Sequence, residues 1–248
     1  MAAGSVVSAI AGRAIIAPDP ASLAHLAAGW LATRIDAKQG PFRLVLSGGS
    51  TPRALYALLG SEYRARIDWS RVELFWGDER FVPYSDPDSN FRMAQETLLS
   101  KIDIPSANVH PIPTNGEPAD AAHCYEILLR NIYGSEKFNP ARPLFDVILL
   151  GLGSDGHTAS LLPGEPVLEE HEKWVASVMH GRTEPRITLT YPAIASSAAM
   201  ALLVTGSDKA QAVRKARAGD ISLPAARIRA QGEVIWFLDS ASASDSSE

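Results

Sequence analysis

The chain reads as an α/β protein built around a mostly parallel sheet, and two observations carry that reading. Strand-like and helix-like segments alternate along nearly the whole sequence, as successive βαβ units require. Several strand-like runs are continuously apolar and end abruptly in Gly-rich junctions, the signature of buried strands feeding loops.

The elements follow in order. Pro20 to Ala37 has helical periodicity and no titratable cluster of note, so it is expected to pack. Arg43 to Leu46 is a short apolar strand, and Pro52 to Leu59 a helix with proline in its first turn, where the missing donor costs nothing. Val72 to Trp76 is the next strand. Asn90 to Ser100 and Ala119 to Tyr133 are helices, and Phe145 to Leu150 is an apolar strand. Trp174 to Met179 and Ile187 to Tyr191 alternate or carry β-branched residues, as strands do. Ala199 to Val204 is a buried strand, a helix runs from about Ser207 to Ala218, and Val234 to Leu238 closes the sheet. No period repeats and no linker divides the chain. Residues 1–239 are therefore expected to form a single α/β domain, with residues 240–248 a flexible polar tail.

Composition narrows the class. Hydrophobic residues are 46% and charged residues 21% of the 248, as in ordinary globular proteins. A net charge of −5 argues against a nucleic-acid or membrane-surface partner, both of which need a basic footprint. An anionic ligand must instead be held by a few placed cations. Cys124 is the only cysteine, which excludes an internal disulfide and a cysteine metal cluster, and its helical setting suits a small packed residue. No apolar run reaches membrane-span length, and the first fifteen residues make a poor secretory signal, so a cytoplasmic enzyme is expected.

Three loops carry the chemistry. The first, Ser47-Gly48-Gly49-Ser50-Thr51-Pro52, follows a strand and opens a helix. Such a junction offers free backbone N–H groups and the positive end of the helix dipole, which suit a phosphate. It is neither a Walker A loop nor the dinucleotide fingerprint. The second, Gly77-Asp78-Glu79-Arg80-Phe81, sets two carboxylates and a guanidinium after another strand. Arg80 could fork onto phosphate or carboxylate oxygens, and Asp78 or Glu79 could accept a proton. The third, Gly151-Leu152-Gly153-Ser154-Asp155-Gly156-His157, follows the apolar strand Phe145 to Leu150. Ligands bind past the carboxyl ends of strands in open α/β sheets, so His157 stands where a proton-transfer group can act, with Asp155 to orient it.

The other histidines (His25, His110, His123, His171, His180) lack that setting and read as structural or surface residues. No second histidine lies at ligand spacing, so no metal is expected. Two later cations, Arg186 at the start of a strand and Lys209 at another strand–Gly–helix junction, are candidates to neutralise a phosphate.

Together, Ser-Gly-Gly-Ser-Thr-Pro, Gly-Asp-Glu-Arg-Phe-Val-Pro with Asp88-Ser89-Asn90, and Gly-Leu-Gly-Ser-Asp-Gly-His-Thr-Ala-Ser-Leu-Leu-Pro give the chain a close resemblance to the 6-phosphogluconolactonases. These share a superfamily with the glucosamine-6-phosphate deaminases/isomerases. The resemblance runs from about Arg43 to Phe237. It implies a Rossmann-like αβα sandwich and hydrolysis of 6-phospho-D-glucono-1,5-lactone without a cofactor. His157 would then be the base, with Asp155 beside it; Arg80 would position the substrate by contact with phosphate or with sugar oxygens, and Asp78 is grouped with these catalytic residues. Ser47, Gly48, Gly49, Ser50 and Thr51 would cradle the phosphate with Arg186 and Lys209, and the amides of Gly48 and Gly49 are candidates for the oxyanion hole.

Two alternatives stand beside this reading. The deaminases carry Asn-Glu-Pro after their Gly-His, where this chain has Leu161-Leu162-Pro163, and leucine cannot relay a proton. A non-catalytic sugar-phosphate sensor on the same fold would not need the Asp155/His157 pair. The expected partner is a small sugar-phosphate lactone, with the chain a monomer or weak homo-oligomer.

Overall fold

A computed structural model describes residue 10 and residues 12–244. In chain order the strands and α-helices are β1 (Arg13–Ala17), α1 (Pro20–Ala37), β2 (Phe42–Leu46), α2 (Ser50–Leu59), β3 (Val72–Trp76) and β4 (Asp78–Arg80). Next come α3 (Asn90–Thr97), β5 (Val109–His110), α4 (Pro118–Tyr133), β6 (Phe145–Leu150), β7 (Val175–Val178) and β8 (Arg186–Leu189). The chain closes with α5 (Tyr191–Ala195), β9 (Ser197–Val204), α6 (Ala210–Arg217) and β10 (Glu233–Asp239).

Among the described residues, seven parallel strands form the central sheet in the order β1-β10-β9-β6-β2-β3-β5. Its central strands are apolar because they are covered on both faces. Val147, Ile148, Leu149 and Leu150 of β6 are all buried, as is β9 except at Ala198. Each such side chain contributes roughly 1.5–3 kcal/mol when fully withdrawn from water. The one charge in β6, Asp146, lies near its start and accepts from Lys38 Nζ at 2.6 Å and the Arg43 amide at 2.7 Å. Helices flank the sheet, and no helix of the described residues is long and apolar enough to cross a membrane.

The strand order fixes where a ligand can sit. From β2 the chain builds outward through β3 to β5, then returns to the other side of β2 with β6 and continues to β9 and β10. The loops after β2 and β6 therefore diverge, leaving a crevice at the topological switch point, where open α/β sheets bind ligands. Buried tyrosines brace two of the strand ends. Tyr56 Oη accepts the Ser47 amide and donates to the Ser47 carbonyl, both at 2.9 Å. Tyr125 Oη accepts the Trp76 amide at 3.1 Å.

Several elements differ from the sequence reading. The Asp78-Glu79-Arg80 segment is a strand, pairing antiparallel with β8 in a separate β4-β8-β7 sheet. β10 does not close the sheet, because β1 pairs outside it. The helix from Asn90 ends at Thr97, and a 3-10 turn follows at Leu99–Lys101. The strand expected to reach Tyr191 stops at Leu189, and Tyr191 opens α5.

The polar C-terminal segment is a further correction. Residues 240–244 fold back against the sheet: Ser242 is buried, its Oγ donates to the Val204 carbonyl at 2.9 Å, and its amide donates to Asp239 at 2.8 Å. Residues 245–248 lie outside the described residues.

Candidate active site

The loops after β2, β6 and β9 converge with the β4/β8 edge on a cavity of about 300 Å³. Ser47, Gly48, Gly49, Ser50, Thr51, Asp78, Arg80, His157, Arg186 and Lys209 all line it. Asp155, the remaining residue singled out from sequence, stands behind His157. A larger cavity, about 530 Å³, lies between α4 and β7, but none of the Gly-rich loops reaches it. Chemistry, not volume, marks the smaller one.

One wall is the start of α2. Gly49 caps this helix with φ of 108°, a conformation that favours glycine, and no side chain caps the first turn. The helix therefore turns uncapped amides and its dipole toward the cavity. Gly48 is needed for space, since a Cβ there would lie 2.0 Å from Asn90 Oδ1.

The cavity also gathers cations. Arg80 and Arg186 stand on paired residues of β4 and β8, and Lys209 lines the same cavity. Arg80 Nη1 donates to the Asp88 carbonyl at 2.6 Å, and Lys209 Nζ lies 3.0 Å from Asp208. Three buried polar atoms have no hydrogen-bond partner among the described residues: Arg80 Nε, Arg186 Nε and Ser47 Oγ. All three belong to residues of this one cavity. Burial, and then the neighbouring Arg80, push the Arg186 guanidinium below its ordinary range, with Asp78 opposing them. Two half-buried guanidiniums on paired strand positions, each with a buried and unmet Nε, are an arrangement that an oxyanion satisfies.

Asp78 and Glu79, adjacent in sequence, point to different tasks. Asp78 reaches the cavity and is held by Ser160 Oγ at 2.6 Å, while Asn90 Nδ2 donates to its carbonyl at 2.9 Å. Glu79 turns away from it. Its carboxylate accepts the amides of Arg80, Asn90 and Phe91 at 2.7–2.8 Å and Ser89 Oγ at 3.1 Å, tying β4 to the start of α3. Burial still pushes its carboxyl up, with those hydrogen bonds opposing. The suggestion that Glu79 could accept a proton from substrate is therefore corrected: its role is to position α3.

The third loop holds a tight His–Asp pair. His157 Nδ1 lies 2.5 Å from Asp155 Oδ1, which also accepts the His157 amide at 3.1 Å. Gly156 N donates to Gly153 O and Gly153 N to His157 O, winding the loop around the pair. Thr158 Oγ1 fastens the loop back to Gly151 O at 2.8 Å. Ala159 next to it has φ of 47°, a left-handed position in the turn closed by the Leu161 amide on the Thr158 carbonyl. Because Asp155 takes the Nδ1 proton, Nε2 keeps the lone pair, and it has no partner among the described residues.

Gly153 makes the pair possible: a Cβ there would lie 2.1 Å from His157 Nδ1 and 2.5 Å from Asp155 Oδ1. Gly153→Ala should therefore displace one member of the pair and, in the reaction proposed below, lower kcat by about tenfold or more. Thermal unfolding should show a folded variant, and a kcat within about twofold of the parent would refute the steric account.

Arg182, Asn90, Ser160 and Thr205 were not assigned roles from sequence. Asn90 stands in the Asp-Ser-Asn triplet that follows the second loop, a usable signal. Arg182 had none, being an arginine in a turn. Its Nη2 donates to Asp155 Oδ2 at 2.8 Å. Burial alone would raise the Asp155 carboxyl, but the hydrogen bonds from Arg182 and His157 outweigh it and hold the group well below the usual carboxylate range.

The fold and site thus define an α/β protein whose switch-point cavity is lined by an uncapped helix N-terminus, three cationic side chains and a histidine. Residues 18–236 match the family model described as glucosamine-6-phosphate isomerases/6-phosphogluconolactonase, and the chain belongs to this family. It is 41% identical over 246 residues to a 6-phosphogluconolactonase of Streptomyces coelicolor, covering 93% of each chain. It is 42% identical over 210 residues to 6-phosphogluconolactonase 3, chloroplastic, of Arabidopsis thaliana, of whose length the match spans 64%. Among solved structures, a 6-phosphogluconolactonase from Trypanosoma cruzi superposes with a TM-score of 0.81 at 29% identity, over 96% of this chain and 97% of the other.

Proposed function

We propose that this protein hydrolyses 6-phospho-D-glucono-1,5-lactone to 6-phosphogluconate, the second step of the oxidative pentose phosphate pathway. The observation that carries the reading is the placement of three unpartnered buried donors, on Arg80, Arg186 and Ser47, in the cavity that His157 also lines. An anion-holding end and a proton-accepting end in one crevice match a substrate with a remote phosphate and a lactone carbonyl. The names of the relatives agree.

In this mechanism the α2 N-terminus, Ser47, Ser50, Thr51, Arg186 and Lys209 hold the phosphate. Binding energy gathered there orients the carbonyl against a water molecule. His157 Nε2 takes a proton as the water oxygen bonds to the carbonyl carbon. Asp155 stabilises the imidazolium, and the Gly48 and Gly49 amides, with Arg80, support the tetrahedral oxyanion. Collapse breaks the bond to the ring oxygen, which takes the proton back from His157. Asp78, pinned by Ser160, orients substrate hydroxyls. No cofactor enters the reaction. The enzyme acts in the cytoplasm, as a monomer or weak homo-oligomer.

The direct test is proton release on adding fresh lactone. Because this lactone opens unaided, the rate above the spontaneous background must scale with enzyme concentration. A rate that does not scale would end the reading.

The family also contains amino-sugar isomerases. Leu161 and Leu162, at the positions where the deaminases carry an asparagine and the relaying glutamate, are buried apolar side chains. Glucosamine 6-phosphate should therefore yield no ammonia under conditions where lactone hydrolysis is fast. Steady ammonia release, abolished by His157→Ala, would overturn the lactonase assignment. Leu162→Glu alone should not install the activity, because Leu161 and Arg80 also depart from the deaminase pattern.

A further inference from the structure

We propose that Arg182, on the turn between β7 and β8, is a positioning residue for the His157 base, acting through Asp155; this rests on the lactonase reading above. The geometry divides the Asp155 carboxylate between two jobs. Oδ1 takes the His157 amide and Nδ1, and Oδ2 takes Arg182 Nη2. With both oxygens engaged, the carboxylate cannot rotate about its Cβ–Cγ bond without giving up a charged partner.

Arg182 is itself tethered. Its Nη1 donates to the Gly181 carbonyl at 2.8 Å. Gly181 has φ of 79° and packs tightly enough that a Cβ would lie 3.1 Å from Leu162 Cδ1 and 3.2 Å from Glu165 Oε1. The turn therefore delivers the guanidinium to a fixed place. Unlike Arg80, Arg186 and Lys209, Arg182 does not line the cavity. Its side chain is 36% exposed, so it does not serve the core either.

Arg182 also stands close to the ring. Nη2 lies 3.3 Å from His157 Nδ1. Both atoms carry protons when Nδ1 donates to Asp155, so this contact is a cation beside the imidazole and not a hydrogen bond. The groups facing the ring are Asp155 from its own loop and Arg182 from the β7–β8 turn. Across the cavity stand Asp78 and Arg80 of β4, Arg186 of β8, and Lys209 before α6.

The test uses Arg182→Ala, Arg182→Lys, Asp155→Asn and the Arg182→Ala/Asp155→Asn double variant. Arg182→Ala should lower kcat by about tenfold, with KM for the phosphorylated lactone within about twofold of the parent. Arg182→Lys should recover part of the loss. In the Asp155→Asn background, removing Arg182 should cost little more, because its effect runs through that carboxylate.

A readout independent of turnover is the 15N NMR tautomer signature of the His157 imidazole. In Arg182→Ala the Nδ1–H form should lose population, since the Asp155 carboxylate that selects it has lost its anchor. A raised KM with intact kcat would make Arg182 a substrate contact. Full additivity with Asp155→Asn, or an unmoved tautomer signature, would equally overturn the proposal. Failure of the parent protein to accelerate lactone opening would defeat the lactonase reading instead, and the tautomer signature would still decide the placement of Arg182.

Discussion

Replacing His157 with alanine is expected to lower kcat by about 10²–10⁴-fold, the usual contribution of a general base, while KM changes little. The imidazole is fixed by Asp155 on Nδ1, and Nε2 has no partner among the described residues. Its proton transfer belongs to the transition state, so its loss falls on kcat. Background-corrected initial rates at saturating lactone measure the effect. A variant with near-parental kcat would pass the role of base to Asp78, the carboxylate that lines the cavity, because Glu79 has committed both oxygens to four donors.

The pH profile adds a second check. Asp155 should contribute nothing to the acid limb of the pH–activity profile. Asp155, although burial opposes its charge, is kept ionised by Arg182 and His157 well below the ordinary carboxylate range. It therefore loses no proton over the pH range of the assay. The acid limb should have unit slope, and a slope of two would mean that Asp155 titrates alongside the base.

Removing the phosphate cations should have the next largest effect. Arg186→Ala and Lys209→Ala should each weaken 6-phosphogluconate binding roughly ten- to a hundredfold, because a hydrogen bond to a charged group contributes about 1.5–3 kcal/mol and 1.4 kcal/mol is a decade. Arg186 should lie at the upper end. Its Nε is buried and unpartnered, so the anion relieves an unmet donor as well as repulsion from Arg80. Lys209 should lie lower, since Asp208 already stands 3.0 Å from its ammonium. Calorimetric titration with 6-phosphogluconate measures both. Unphosphorylated gluconolactone should be a far poorer substrate for the parent protein. Equal turnover of the two lactones would show that the cradle does not hold the phosphate.

What could be read early and what could not divides along a physical line. β2, β3, β6 and β9 were legible because strands covered on both faces are apolar throughout, and the glycines that follow them mark close approach or left-handed backbone. β4 was not legible. Asp78-Glu79-Arg80 has no apolar pattern, and its strand exists because β8, more than a hundred residues later, offers a pairing edge. The acids of β4 are buried only because Ser160, Ser89, Asn90 and neighbouring amides satisfy them. β1 is a half-exposed edge strand with a weak signal, and Ser242 owes its burial to a Val204 carbonyl that only the folded chain presents.

By itself, then, the sequence determined the parallel α/β frame, the three loops and the resemblance they carry, because hydrophobic periodicity and glycine placement are local properties. Only the tertiary structure decided which of two adjacent acids faces the ligand, which guanidiniums are left with unmet donors, and that Arg182 completes the His157–Asp155 pair. Those outcomes depend on hydrogen-bond satisfaction and charge between segments far apart in the chain, and a buried donor's partner is chosen by the fold, not by its neighbours in sequence.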